Sequence, residues 1–264
     1  ILKSLPALNY EIIEFSEHAS LRCVWIPGWG GSSWSLRPIV ETLGFGVHWL
    51  FDHHHVQQIG RNRQLSIEDM AQSIAETVPE ESSPCHLIGI SMGGLIAQVL
   101  AHSYSEFILS LHLCCTTRGG SGGHRPINEK AANRWWEPVQ KGSDSIRRVL
   151  EICVAPEYRS SPEFEEYLKH SKSSPKPVTG STLQMQWNAM ENFSSLPLLQ
   201  SISVVSHLYE GKDDVVVAPG EGAQLAQHLK PASRHILPGG HLFMLEKPVE
   251  FRQVFLTNLL NASS

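Results

Sequence analysis

Long apolar runs are missing from this chain: no window of its 264 residues approaches the ~20 consecutive apolar residues that a helix needs to cross a bilayer. Clusters of Lys and Arg are missing too, and 21 basic against 26 acidic side chains leave a formal net charge of -5. The electrostatic footprint for nucleic acid or an anionic membrane surface is therefore absent. The opening residues, Ile1-Leu2-Lys3-Ser4, show no charged leader followed by a long hydrophobic stretch. Cysteine is sparse and odd in number, at Cys23, Cys85, Cys114, Cys115 and Cys153. With Cys23 and Cys85 inside strand-like segments, the set reads as buried thiols of a reducing compartment, and a cytoplasmic location is expected. Cys114 and Cys115 are neighbours on a strand and point to opposite faces, which argues against a bond between them. Low charge is itself informative. At 18% charged and 41% hydrophobic residues, the composition argues for a folded chain with a substantial core.

What is present is an alternation of short apolar strands and helical patterns, the signature of a largely parallel sheet wrapped by helices, an α/β fold. Strands are expected at Tyr10 to Phe15, Arg22 to Ile26, Val47 to Phe51, Cys85 to Ile90, Leu109 to Cys115, Val204 to Tyr209 and Ser233 to Leu237. The clearest helix follows Ser66, where Ile67, Met70, Ala71, Ile74, Ala75 and Val78 form one stripe and Ser66 with Asp69 resembles a capping box. A terminal helix carrying Val249, Val254, Phe255, Leu259 and Leu260 suits packing on the sheet. Between about Gly119 and Pro197 the alternation gives way to short helices, at Asn128 to Gln140, Ser145 to Cys153, Pro162 to His170 and Leu183 to Asn192. A helical insertion between two strands of one sheet leaves and returns at one edge, so residues 119–197 are expected to form a cap over a core of 1–118 and 198–264.

Gly89-Ile90-Ser91-Met92-Gly93 lies between the apolar Leu87-Ile88 and the helix-like Leu95 to Leu100. A strand turning directly into a helix through G-x-S-x-G lifts the serine hydroxyl to the top of a sheet in a strained elbow. Such a pentapeptide recurs by chance, and Gly119-Gly120-Ser121-Gly122-Gly123 matches it as well. The second copy runs into His124-Arg125-Pro126, which cannot start a packed helix, and reads as a flexible connection. A serine nucleophile needs a base and a carboxylate to orient it. Asp213 and Asp214 close the strand ending near Tyr209-Glu210-Gly211, and His241 follows Pro238-Gly239-Gly240 after the next strand.

These residues together resemble the α/β-hydrolase superfamily over nearly the whole chain, in the order Ser, Asp, His. The resemblance implies an α/β-hydrolase fold and a triad of Ser91, Asp214 and His241, with Asp214 filling the acid position of Gly211-Lys212-Asp213-Asp214, Pro219 matching the usual end of that turn, and Asp213 the alternative acid. It places oxyanion-hole amides at Met92 and at Trp29, within Ile26-Pro27-Gly28-Trp29-Gly30-Gly31, where Pro27 replaces the common histidine. After Asp52 the usual Arg-Gly-x-Gly-x-Ser turn is absent, and His53-His54-His55-Val56 stands in its place. The implied activity is hydrolysis of a small ester, lactone or other acyl substrate, of the carboxylic ester hydrolase kind, without cofactor or metal. The Gly28-Trp29-Gly30 turn and Leu65 to Ala71 resemble enol-lactonases and the methyl esterase of biotin synthesis. Thioesterases, carbon-carbon bond hydrolases and triad-bearing small-molecule receptors are the alternatives on this fold. A serine nucleophile argues against epoxide hydrolases and haloalkane dehalogenases, which carry an aspartate there.

Other residues have plainer readings. His53, His54 and His55 invite a metal but lack further ligands beyond Asp52, so a solvated loop is expected. His86, His112 and His207 sit in strands as hydrogen-bonded polar groups. Trp135, Trp136, Met185, Trp187, Met190 and Phe193 crowd the insertion; each reads first as a helix face packed on the core, and as a set they predict an apolar pocket over Ser91, with Trp135, Trp136, Met185 and Trp187 its candidate walls.

Overall fold

The computed structural model describes residues 9–52, 64–120, 127, 131, 133, 145–175 and 177–263. In chain order, β1 (Tyr10–Glu14) and β2 (Arg22–Ile26) precede α1 (Ser33–Leu43), β3 (Val47–Phe51), α2 (Ile67–Thr77), β4 (Cys85–Ile90), α3 (Met92–Ser103) and β5 (Ile108–Cys114). Helices α4 (Ser145–Cys153), α5 (Pro162–Lys172), α6 (Gly180–Glu191) and α7 (Leu196–Leu199) then intervene before β6 (Val205–Gly211), α8 (Glu221–His228), β7 (Ala232–Leu237), α9 (Phe243–Glu246) and α10 (Pro248–Ala262). The strands form one sheet in the order β1-β3-β2-β4-β5-β6-β7, with β1 antiparallel to β3 and every other pairing parallel. Parallel neighbours need long crossovers, and those crossovers cover both faces with helices.

Burial on both faces explains the continuous apolar strands. Cys23, Val24, Trp25 and Ile26 are all essentially inaccessible. Residues of alternate parity join different cores: Val24, Leu87 and Leu111 pack with α2 and α3, whereas Trp25, Ile88 and Ile90 pack with α1 and α10. The Ser66 capping box is present, Ser66 Oγ accepting from Asp69 N at 3.0 Å and Asp69 Oδ2 accepting from Ser66 N at 3.2 Å. All five cysteines are buried and outside any disulfide, with Cys114 and Cys115 unbonded to each other. Four helices escape a reading by periodicity. Three are short, α7, α8 and α9; the fourth is α1, which carries Pro38 in its interior. Proline has no N–H for the carbonyl four residues earlier, so Trp34 O is free, and His170 Nε2 donates to it at 2.7 Å. Trp34 Nε1 in turn donates to His170 O at 2.8 Å and the two rings stack with centroids 4.4 Å apart. A defect in α1 thereby becomes the dock for α5.

Beneath α10, four histidines run across β4, β5, β6 and β7. His86 pairs with Ser110 Oγ at 2.7 Å, which pairs with His112 Nε2 at 2.7 Å, and His112 Nδ1 pairs with Tyr209 OH at 2.9 Å. Asn258 of α10 donates to Tyr209 OH at 2.8 Å and meets His235 Nε2 at 3.0 Å, while Ser233 Oγ joins His235 Nε2 at 2.9 Å and His207 Nδ1 at 2.7 Å. The strand histidines are thus hydrogen-bonded polar groups, except that His207 Nε2 is buried without a partner among the described residues.

Candidate functional site

Strand β4 delivers Ser91 to the carboxyl edge of the sheet, and α3 begins at the next residue. The turn between them leaves no room for a normal backbone path. Ser91 has φ 53° and ψ -116°, a region that a side chain makes costly by roughly 1–3 kcal/mol. Three bonds hold it there: Ser91 N donates to Cys114 O at 2.9 Å, Gly94 N donates to Ser91 O at 2.9 Å, and Thr116 Oγ1 donates to Ser91 O at 2.6 Å. The flanking glycines are a steric requirement. A Cβ on Gly89 would lie 2.4 Å from Gly93 O, and one on Gly93 would lie 2.2 Å from Ile26 O. Both obstacles are backbone, so Gly93→Ala is expected to destabilise the fold by about 2 kcal/mol or more, read as a lowered Tm.

Two loops at the other end of the carboxyl edge meet each other. Asp213 N donates to Gly239 O at 2.8 Å, and a Cβ on Gly211 would lie 1.9 Å from Gly240 O, so the approach demands glycine. Asp214 Oδ1 accepts from the amides of Val216 at 2.7 Å and Val217 at 3.2 Å, which leaves Oδ2 to accept from His241 Nδ1 at 2.9 Å. Asp213, next door, is exposed. His241 is 3% exposed and also hydrogen-bonds the buried thiol of Cys115. Burial is the largest single influence and opposes charge on the imidazole, but the Asp214 carboxylate and Cys115 together outweigh it and hold the His241 pKa above its ordinary value. Burial pushes the Cys115 thiol up to about 11, so it is a neutral neighbour at physiological pH. The histidine loop is further held by Glu246, whose carboxylate accepts from Gly240 N at 2.8 Å and Ala155 N at 3.0 Å.

Ser91 and His241 line one cavity of about 380 Å³. Its other walls include Trp29 and Trp34 from the core and Val149, Leu150, Tyr167 and Leu183 from the helices between β5 and β6. Gly28 passes beside the serine, and a Cβ there would lie 3.2 Å from Ser91 Cβ. Among the described residues no group of three or more His, Cys, Asp or Glu side chains could hold a metal ion, and no helix is long and apolar enough to cross a membrane.

Residues 23–254 match the alpha/beta hydrolase family. The chain belongs to that family. Among relatives, 3-oxoadipate enol-lactonase 2 of Acinetobacter baylyi is 23% identical, with 94% of this chain and 81% of that protein covered. A poly(3-hydroxyalkanoate) depolymerase of Ectopseudomonas oleovorans is 26% identical over 167 residues, and this match spans 56% of that protein. An esterase structure from Exiguobacterium antarcticum superposes with a TM-score of 0.76 at 16% identity, covering 96% of this chain and 95% of that one.

In this alpha/beta hydrolase the residues singled out by sequence fall into two groups. Ser91, His241 and the Trp29 loop line the cavity, Asp214 bonds to His241 behind it, and Met92 starts α3 immediately behind the serine. Of the expected pocket walls, Met185 and Trp187 lie within the described residues, and neither is among those that line the cavity. Trp187 packs on the Trp29 ring with centroids 5.5 Å apart, and it is Trp29 that faces the cavity; Met185 is partly buried against the core. Leu183, one turn earlier on α6, lines the space instead. Trp135, Trp136 and the His53-His54-His55 loop lie outside the described residues, as does most of the helix expected at Asn128 to Gln140. Glu246 and Cys115 escape sequence reasoning, since a glutamate near a helix start and a cysteine ending a strand carry no pattern of their own.

Proposed function

We propose that this protein is a serine hydrolase that cleaves a carboxylic ester or lactone of a small, largely apolar substrate through an acyl-enzyme. The observation carrying this reading is that His241, hydrogen-bonded to Asp214, lines the same cavity that Ser91 lines from a strained elbow. Ser91 attacks the carbonyl carbon as His241 takes its proton, and Asp214 fixes the imidazole tautomer and stabilises the imidazolium. The amides of Trp29 and Met92 receive the oxyanion. His241 then protonates the leaving alcohol and draws a proton from water for deacylation. Residues 119–197 act as the cap, supplying apolar walls that exclude bulk water from the acyl group. The named likenesses to an enol-lactonase and an esterase support the ester or lactone class.

Turnover of a panel of nitrophenyl esters, lactones and acyl thioesters tests this directly. Multiple turnover is expected; its absence, with ligands still raising Tm, would replace the enzyme by a small-molecule receptor on the same fold. The raised pKa of His241 adds a pH prediction. The base is the neutral imidazole, so kcat/KM rises with pH along a limb whose midpoint lies above 6.5. Asp214→Asn removes the carboxylate that holds the proton on and leaves burial, which opposes charge. Its limb is expected below that of the wild type, with a rate lower by about 10⁴ from the lost tautomer. A pH–rate profile of both proteins checks it, and an unmoved limb would show that another group controls the base.

A further inference from the structure

The loop carrying Trp29 is not held by the core alone. Gly28 O accepts from Gly31 N at 2.9 Å, closing a turn in which Gly30 has φ 67°. In a planar trans peptide the carbonyl and the following N–H point in opposite directions, so the bond to Gly28 O also sets the direction of the Trp29 N–H. Helix α6 then clasps this turn at three points. Gly30 N donates to Gln186 Oε1 at 2.9 Å, Trp29 Nε1 donates to Leu183 O at 2.9 Å, and the Trp29 and Trp187 rings meet edge to face. The fit is close enough that a Cβ on Gly30 would come within 2.8 Å of Leu183 Cδ2. Gln186 is fully buried, and its Nε2 has no partner among the described residues. A buried amide that leaves its own donor unsatisfied weakens the fold, and the bond it makes goes to the turn beside Ser91.

We propose that Gln186 is a positioning residue that holds the Trp29 amide in register for the tetrahedral intermediate, so that α6 completes the oxyanion site from outside the sheet. The inference rests on the reading of Trp29 given above. It follows that the insertion does more than wall the cavity: lifting α6 away would disassemble one of the two oxyanion donors.

Gln186→Met keeps the length of the side chain and removes the acceptor, Gln186→Glu keeps an acceptor oxygen, and Trp29→Phe removes the indole donor to Leu183 O while leaving a smaller aromatic ring against Trp187 and the cavity. Rates are taken per serine titrated with a fluorophosphonate, so that misfolded protein is not counted. Removing an oxyanion donor outright costs about 10²–10³ in kcat, and a misaligned one less. Gln186→Met is expected to lose about 10-fold to 100-fold in kcat with KM within about threefold, and a boronic acid that mimics the intermediate weakens by the same factor. Gln186→Glu stays within about threefold of wild type, and Trp29→Phe loses kcat without a matching rise in KM. Normal kcat per titrated site with unchanged boronic acid affinity in Gln186→Met overturns the proposal, as does an equal loss in Gln186→Glu. Should Gln186→Met not fold, a wild-type kcat in Trp29→Phe overturns it. A wild-type protein that turns over no ester fails the catalytic reading itself, an outcome distinct from active wild type with indifferent variants.

Discussion

Ser91→Ala is expected to lower ester turnover by about five to six orders of magnitude, to the level that binding and the oxyanion donors sustain without a nucleophile. The fold should survive, because alanine keeps the Cβ and the three backbone contacts at the elbow, to Cys114 O, Gly94 N and Thr116 Oγ1, do not use the serine hydroxyl. A companion variant separates chemistry from conformation. Ser91→Gly removes the hydroxyl and also the Cβ that makes φ 53° costly, so it should be equally inactive yet more stable than Ser91→Ala by about 1 kcal/mol or more. Activity assays and thermal melts of the three proteins read both effects. Residual turnover within tenfold of wild type in Ser91→Ala would remove the nucleophile from the mechanism, and equal melting of the two variants would remove the strain argument.

Acidification should cost this protein most of its stability between pH 6.5 and 4. The reason is the histidine row under α10. Burial lowers His86 and His207 to about 4 and His112 well below its ordinary 6.5, and neighbouring histidines add to each of these shifts. His235 is lowered as well, by burial. The sign follows from proton counting: between the folded and unfolded pKa values the unfolded chain binds protons that the folded one refuses, so acid favours unfolding. Above 6.5 neither state is protonated at these sites and their contribution is flat. At pH 5 each histidine held neutral costs on the order of 2 kcal/mol, and three together reach about 6 kcal/mol, comparable with the whole stability of many domains. Tm measured from pH 7.5 to 4.5 should fall steeply below about pH 6.5. A Tm that stays level down to pH 4.5 would sink the idea. Replacing His112 with phenylalanine should flatten the slope, at the expense of its bonds to Ser110 and Tyr209.

Much of the framework is legible in the amino-acid order. Val47 to Phe51 and Cys85 to Ile90 announce buried parallel strands because both faces of such strands are apolar, and Gly89-x-Ser91-x-Gly93 announces the elbow because a side chain at either glycine would strike backbone. Helix α1 is hidden by Pro38, whose harm to the helix is offset by a contact with His170 that lies 132 residues further along the chain. The pocket walls are hidden for a related reason. Helical spacing puts Leu183, Trp187 and Met190 on one stripe, and only the packing of α6 on Trp29 decides that Leu183 meets the cavity while Trp187 is covered.

The choice between Asp213 and Asp214 shows the same division. The family pattern favours Asp214, the acid position of Gly211-Lys212-Asp213-Asp214, and leaves Asp213 as the alternative; the turn after β6 exposes Asp213 and turns Asp214 toward His241, with the Val216 and Val217 amides taking its second oxygen. Local order thus determined the strands, the elbow and the family, because backbone sterics and apolar periodicity act over a few residues. How the acid is turned to the histidine, which side chains wall the cavity, and what clasps the Trp29 turn were decided by the tertiary structure, since each depends on surfaces that are distant in the chain and come into contact only on folding.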